Sequence, residues 1–155
     1  VGGLVRVQEA VDAIDLTKIA EYTRKLKDIG SGFNKMMAPV YLRDFVIAFD
    51  VSSVMLARAI QADLQTKSEL ETAEAIAFLD RAPDYFKAKG EKPTVESRKA
   101  YVALDPDVIQ AKELQAKTTA LVSLLRNKVI EFREAISAIK TLQSDGYLSP
   151  HEGSR

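Results

Sequence analysis

A chain of 155 residues with 46% apolar side chains is long enough to build one domain around a real core and too short to need two. Its 22 basic and 22 acidic residues cancel, so bulk charge draws it neither to nucleic acid nor to an anionic membrane, and only a local patch can do so. The absence of cysteine excludes disulfides, zinc ribbons and thiol catalysis together, and the single histidine, His151, sits in a Pro/Gly/Ser tail where it cannot be half of a His-based site.

The chain opens without a charged segment leading into an apolar one, so no secretion signal is expected and the cytoplasm is the expected compartment. Uninterrupted apolar runs are only a few residues long, and no membrane-spanning segment is expected. Within residues 1–12, Leu4-Val5-Arg6-Val7 reads as a short strand, although few partner strands are on offer. From Asp15 the pattern turns helical, with Leu16, Ile19, Ala20, Leu26 and Ile29 on one side, and Gly30-Ser31-Gly32 ends it. Residues 1–39 are therefore expected to form an appendage carrying one short helix.

Residues 40–49 fit two readings. Phe45-Val46-Ile47-Ala48-Phe49 has strand-forming residues, yet Leu42, Phe45, Val46 and Phe49 share a helix face. Asp50, Ser52 and Ser53 are cap residues and predict a break or restart. A clearer helix starts at Val54-Met55-Leu56 and runs through Ile60, Leu64 and Leu70 to Leu79. Its second half is acidic, with Asp63, Glu69, Glu71, Glu74 and Asp80 against Lys67. Pro83 should bend or end it, and Lys87-Ala88-Lys89-Gly90-Glu91-Lys92-Pro93 forms a charged loop. Thr94 then caps a small helix through Arg98 and Tyr101.

Asp105 is a good N-cap, Pro106 suits the first helical position, and Asp107 complements the positive helix start. No Gly or Pro follows until Gly146, so a rod of roughly 55 Å is predicted. Its apolar positions repeat in heptads: Val108, Gln115, Val122, Val129 and Ile136 in one series, Ala111, Thr118, Leu125, Phe132 and Ile139 in the other. The expected fold is all-α: a long antiparallel helical hairpin over residues 40–143, a short helix before it, and a flexible tail over 144–155. Two such helices cannot cover both apolar faces, which leaves Leu121, Val122, Leu125, Val129, Phe132, Ile136 and Ile139 as the expected interface of a homo-oligomer. Gln115, Thr118 and Lys128 either set register in that seam or mark its exposed half.

Carboxylate pairs such as Glu131 with Glu134 sit on Lys- and Arg-rich helix faces, the pattern of solvated surface. Gly30-Ser31-Gly32 lacks the ending of a phosphate-binding loop. No catalytic constellation, metal-ligand set or cofactor motif is present, and an enzyme is not expected. The stretch with chemical content is residues 81–101. Arg81, Lys87, Lys89, Lys92, Arg98 and Lys99 interleave with Tyr85, Phe86 and Tyr101, and against Asp84, Glu91 and Glu96 they leave an excess of three positive charges. Cations that track phosphates beside rings that stack on bases are what sequence-independent single-strand binding needs. A solubilising surface hairpin, with its rings tucked into the helix pair, fits the same residues.

The order Val54-Met55-Leu56, Leu79-Asp80-Arg81, Asp84-Tyr85-Phe86, a Lys-Gly loop, Arg98, Tyr101-Val102 and Leu104-Asp105-Pro106-Asp107-Val108 resembles the phage recombination mediator family of the UvsY type. The match covers roughly Asp50 to Leu142. The resemblance implies an all-helical, ring-forming, non-enzymatic protein of the host cytoplasm that binds single-stranded DNA. Such a protein helps displace the single-strand-binding protein and loads the strand-exchange recombinase. Arg81, Lys87, Lys89, Lys92, Arg98 and Lys99 would then meet the DNA backbone, with Tyr85 and Tyr101 beside it, while the last helix joins subunits. The chain departs from that family in its neutral charge and its lack of Trp. A helical adaptor that assembles with other proteins and never touches DNA is the alternative.

Overall fold

The computed structural model describes residues 2–145, in which six α-helices are joined by short turns and no strand occurs. His151 and the tail after Asp145 lie outside the described residues.

Helix α1 spans Gly2–Asp12, so Leu4-Val5-Arg6-Val7 is helical and not extended. The spacing 4, 7, 11 places Leu4, Val7 and Val11 on one face, which packs against Ala62, Leu70, Ala111 and Leu114. The helix penalty of a β-branched residue is a few tenths of a kcal/mol, whereas burying a Leu or Val side chain gains about 1.5–3 kcal/mol. Packing decides the conformation. Helix α2, Thr17–Ser31, follows Asp15, whose carboxylate accepts the Thr17 backbone N–H at 2.9 Å. Asn34 caps a 3-10 turn over Lys35–Met37 by accepting the Met36 N–H.

Helix α3 runs unbroken over Ala38–Ile76, which makes residues 40–49 helical and removes the expected break at Asp50, Ser52 and Ser53. Ser53 folds its hydroxyl onto the Phe49 carbonyl at 2.8 Å, and Ser52 is small enough to be fully buried. Nor does Pro83 end the helix. A proline in an α-helix clashes with the carbonyl four residues earlier and removes its hydrogen bond. Residues Ala77–Arg81 form a wider π-turn, closed by the Ala82 N–H on the Ala77 carbonyl, and α4 (Ala82–Ala88) continues from it with Pro83 in its first turn. Gly90, at φ +73°, then stops the helix: its N–H reaches the Lys87 carbonyl and the Glu91 N–H reaches the Phe86 carbonyl.

Helix α5, Val95–Leu104, begins at a capping box in which Thr94 and Ser97 each bond the other's backbone N–H. Asp105 caps α6 (Pro106–Asp145) by accepting the N–H groups of Asp107 and Val108 at 3.0 and 3.3 Å. Both caps are where the residue types require them.

By their internal contacts the described residues group into two compact units, 2–14 with 58–122, and 15–57 with 123–145. In the first unit α1 covers the cluster described above. Thr118 and Thr119 donate to Asp63 at 2.8 and 3.0 Å, Lys112 pairs with Glu74, and Arg81 pairs with Asp107. Residues ascending α3 and the π-turn thus meet residues descending α6. The second unit is centred on Phe132, fully buried, stacked on Phe45 at 6.1 Å and met edge-on by Tyr22 at 6.5 Å. Ile19, Ala48, Leu125 and Ile139 are also buried in this unit.

Among the described residues, the run Lys35–Ala88 is long and apolar enough, by length and composition alone, to cross a membrane. Asp50 and Arg58 break it into short apolar runs, which is why run length does not reveal it.

Candidate nucleic-acid interface

The π-turn, α4, the Gly90 turn and α5 bring the basic residues of 81–101 into one region of the first unit. They are not equivalent there. Arg81 is committed to structure: Nη2 lies 3.1 Å from the buried Asp105 carboxylate, and Nη1 bonds Asp107. The Asp107 hydrogen bond, with the charges of Asp105 and Asp107 behind it, holds the guanidinium even more firmly protonated than usual, against the opposing effect of burial. Arg98 lies over the Phe78 ring at 5.6 Å. The Lys89 ammonium donates to the Tyr85 hydroxyl and sits 4.4 Å from the centre of that ring. That hydrogen bond raises the Lys89 pKa.

Lys87, Lys92 and Lys99 are exposed and form no ion pair among the described residues. Glu91 and Glu96 are exposed as well, and neither bonds any of the three. Lys87 lies in the last turn of α4, where a cation complements the negative helix end. Tyr85 is the centre of a ring cluster, edge-on to Phe86 and tilted against Tyr101, each at 5.2 Å. It is still 41% exposed. The region therefore combines exposed cations with a partly exposed aromatic ring, the groups that phosphate contact and base stacking use.

The heptad seam of α6 lies elsewhere and differs from expectation. Val122, Leu125, Phe132 and Ile139 are buried within the single chain, and Leu121, Val129 and Ile136 are half-buried. Val122, Leu125, Phe132 and Ile139 therefore lack the exposure that an oligomer interface along this seam requires. Thr118 fills a buried seam position because Asp63 accepts its hydroxyl hydrogen bond. Lys128 bonds Glu131.

One feature of the region escaped sequence reasoning, the Arg81–Asp105–Asp107 network. Asp105-Pro106-Asp107 is legible as a cap, but nothing local says that the cap carboxylate also receives a guanidinium from 24 residues earlier. Among the described residues no group of three His, Cys, Asp or Glu side chains could hold a metal ion. Comparison with protein-family models, with curated proteins and with solved structures finds no match.

Proposed function

We propose that this chain is a non-enzymatic, self-associating helical hairpin protein that binds single-stranded DNA and acts as a recombination mediator. In that role it helps a strand-exchange recombinase replace single-strand-binding protein. The observation that carries the DNA-binding part is the partly exposed Tyr85 ring together with Lys87, Lys92 and Lys99, exposed cations that form no ion pair among the described residues. The mediator role rests on the resemblance of residues 50–142 to that family. Each loop offers only a few contacts, so affinity would come from several loops engaging one strand. Arg81 and Arg98 act by shaping the loop, since both are already engaged within the chain.

The test is a salt titration of single-strand binding by the full chain. Phosphate contacts release counterions, so affinity should fall with salt at a log–log slope of about −0.7 per neutralised phosphate. Replacing Lys87, Lys92 and Lys99 together by Ala should weaken binding and make the slope shallower by about 2 for each loop engaged. Tyr85→Phe, which keeps the ring, should retain the slope. Unchanged affinity and slope in the triple variant would refute a DNA-binding loop. The adaptor reading has one observation in its favour: Leu104, in the last turn of α5, is 76% exposed.

A further inference from the structure

The second unit contains an open groove of about 400 Å³ whose floor is one face of α2. Leu16, Ile19, Ala20 and Thr23 recur at helical spacing along it, and Leu124 of α6, 43% exposed, closes its side. Its rim is cationic: Arg24 and Lys27 from α2 form no ion pair among the described residues, and Lys128, shared with Glu131, adds a third. An apolar floor under unpaired cations fits an apolar helix face flanked by carboxylates.

The first unit carries such a face. Residues 68–80 hold Glu69, Glu71, Glu74 and Asp80 and no cation. Glu74 is engaged by Lys112, but Glu71 and Asp80 are exposed and unpaired among the described residues. Between them Ile76 and Leu79 stand 43% and 63% exposed. A solvated helix face does not need large apolar residues at both positions, and the acidic run around them has no role in the DNA-binding reading. The imbalance of charge is reciprocal, cations unpaired on the groove and carboxylates unpaired on the face, within a chain whose net charge is zero.

We infer that a second copy of this chain docks the Ile76–Leu79 face of its π-turn region into the α2–α6 groove, with Glu71 and Asp80 meeting Arg24, Lys27 and Lys128. The inference rests on the self-association in the proposed function and names its surfaces. Because groove and face are different patches, the contact is heterologous, and repetition gives a closed ring or an open filament. This contact does not use the buried positions of the α6 seam.

Light scattering on the full chain tests this. At about 50 mM salt the protein should exceed the 17.1 kDa of one chain, and at about 500 mM, where the Debye length falls to a few Å, it should dissociate. Arg24→Glu with Lys27→Glu makes both patches acidic, and Glu71→Lys with Asp80→Lys makes both basic. Each variant alone should be monomeric with unchanged helical circular dichroism. Mixed in equal amounts they should reassemble, since each groove then meets a face of opposite sign. Variants that stay assembled alone, or that fail to reassemble when mixed, overturn the groove–face contact while self-association stands. A wild-type chain that is monomeric at low salt and high concentration overturns both.

Discussion

Truncating Phe132 to Ala probes the interior of the second unit where it is densest. The ring is fully buried, stacked on Phe45 and met edge-on by Tyr22. Emptying a buried Phe site costs about 3–5 kcal/mol, and two lost aromatic pairs at about 0.5–1.5 kcal/mol each place this case at the upper end. With a urea dependence of about 2 kcal/mol per molar for a domain of this size, the unfolding midpoint should fall by about 2 M. Phe132→Leu, which leaves a smaller void, should lose roughly half as much. The assay is urea unfolding followed by circular dichroism at high salt, at two protein concentrations about tenfold apart. Because all three rings belong to one chain, the loss should be the same at both. A shift below about 0.5 M, or a loss that grows on dilution, would refute the placement of this ring inside a single chain.

Asp105→Ala removes the cap of α6 and the buried partner of Arg81, and should lower stability by about 2–4 kcal/mol in thermal unfolding, whereas Asp105→Asn, which can still accept the cap N–H groups, should lose less. Burial pushes the Asp63 carboxyl up, but hydrogen bonds from Thr118 and Thr119 and the ammonium of Lys67 outweigh it and hold its pKa below the usual value. Asp63 therefore stabilises the fold above its unfolded pKa of about 3.9, and that contribution disappears as pH falls through the lower folded value. Asp63→Asn should accordingly be less stable than wild type at pH 7 and lose less on acidification, as read by denaturant midpoints across pH. Ser52→Ala removes a buried hydroxyl that has no hydrogen-bond partner among the described residues and adds helix propensity, so the unfolding midpoint should rise by the equivalent of about 1 kcal/mol.

The parts of this fold that could be read from the residues are those decided locally. Thr94 with Ser97, and Asp105 with Pro106 and Asp107, start helices wherever they are placed, because the orphan N–H groups they satisfy belong to the same few residues. The recurrence of Val108, Ala111, Leu125, Phe132 and Ile139 likewise marks a buried stripe with no knowledge of what covers it. What covers it was not legible. Tyr22 and Phe45 reach Phe132 from roughly 90 or more residues away, so a face that looks unpartnered along the chain is closed within it. The Leu4–Val7 segment looks strand-like along the chain for the same reason, since its helix is settled by Ala62, Ala111 and Leu114. The basic loop was legible as composition. Its division into engaged and free cations depends on Asp107, Phe78 and Tyr85, which only folding brings to Arg81, Arg98 and Lys89.

The π-turn at Ala77–Arg81 bears on how this chain can change over time. Such a turn takes one residue more for a full circle than the roughly 3.6 of an ordinary helical turn, so the extra residue adds almost no net rotation. Removing one residue there would restore a regular spiral and leave α4 facing nearly as it does, but Pro83 would again press on a carbonyl. A second added residue has no such turn to absorb it: everything beyond would rotate by about 100°, Tyr85 would swing out of its cluster with Phe86 and Tyr101, and the Gly90 turn would leave in a new direction. These five residues therefore tolerate a loss better than a further gain, and a gain redirects the whole basic loop in a single step.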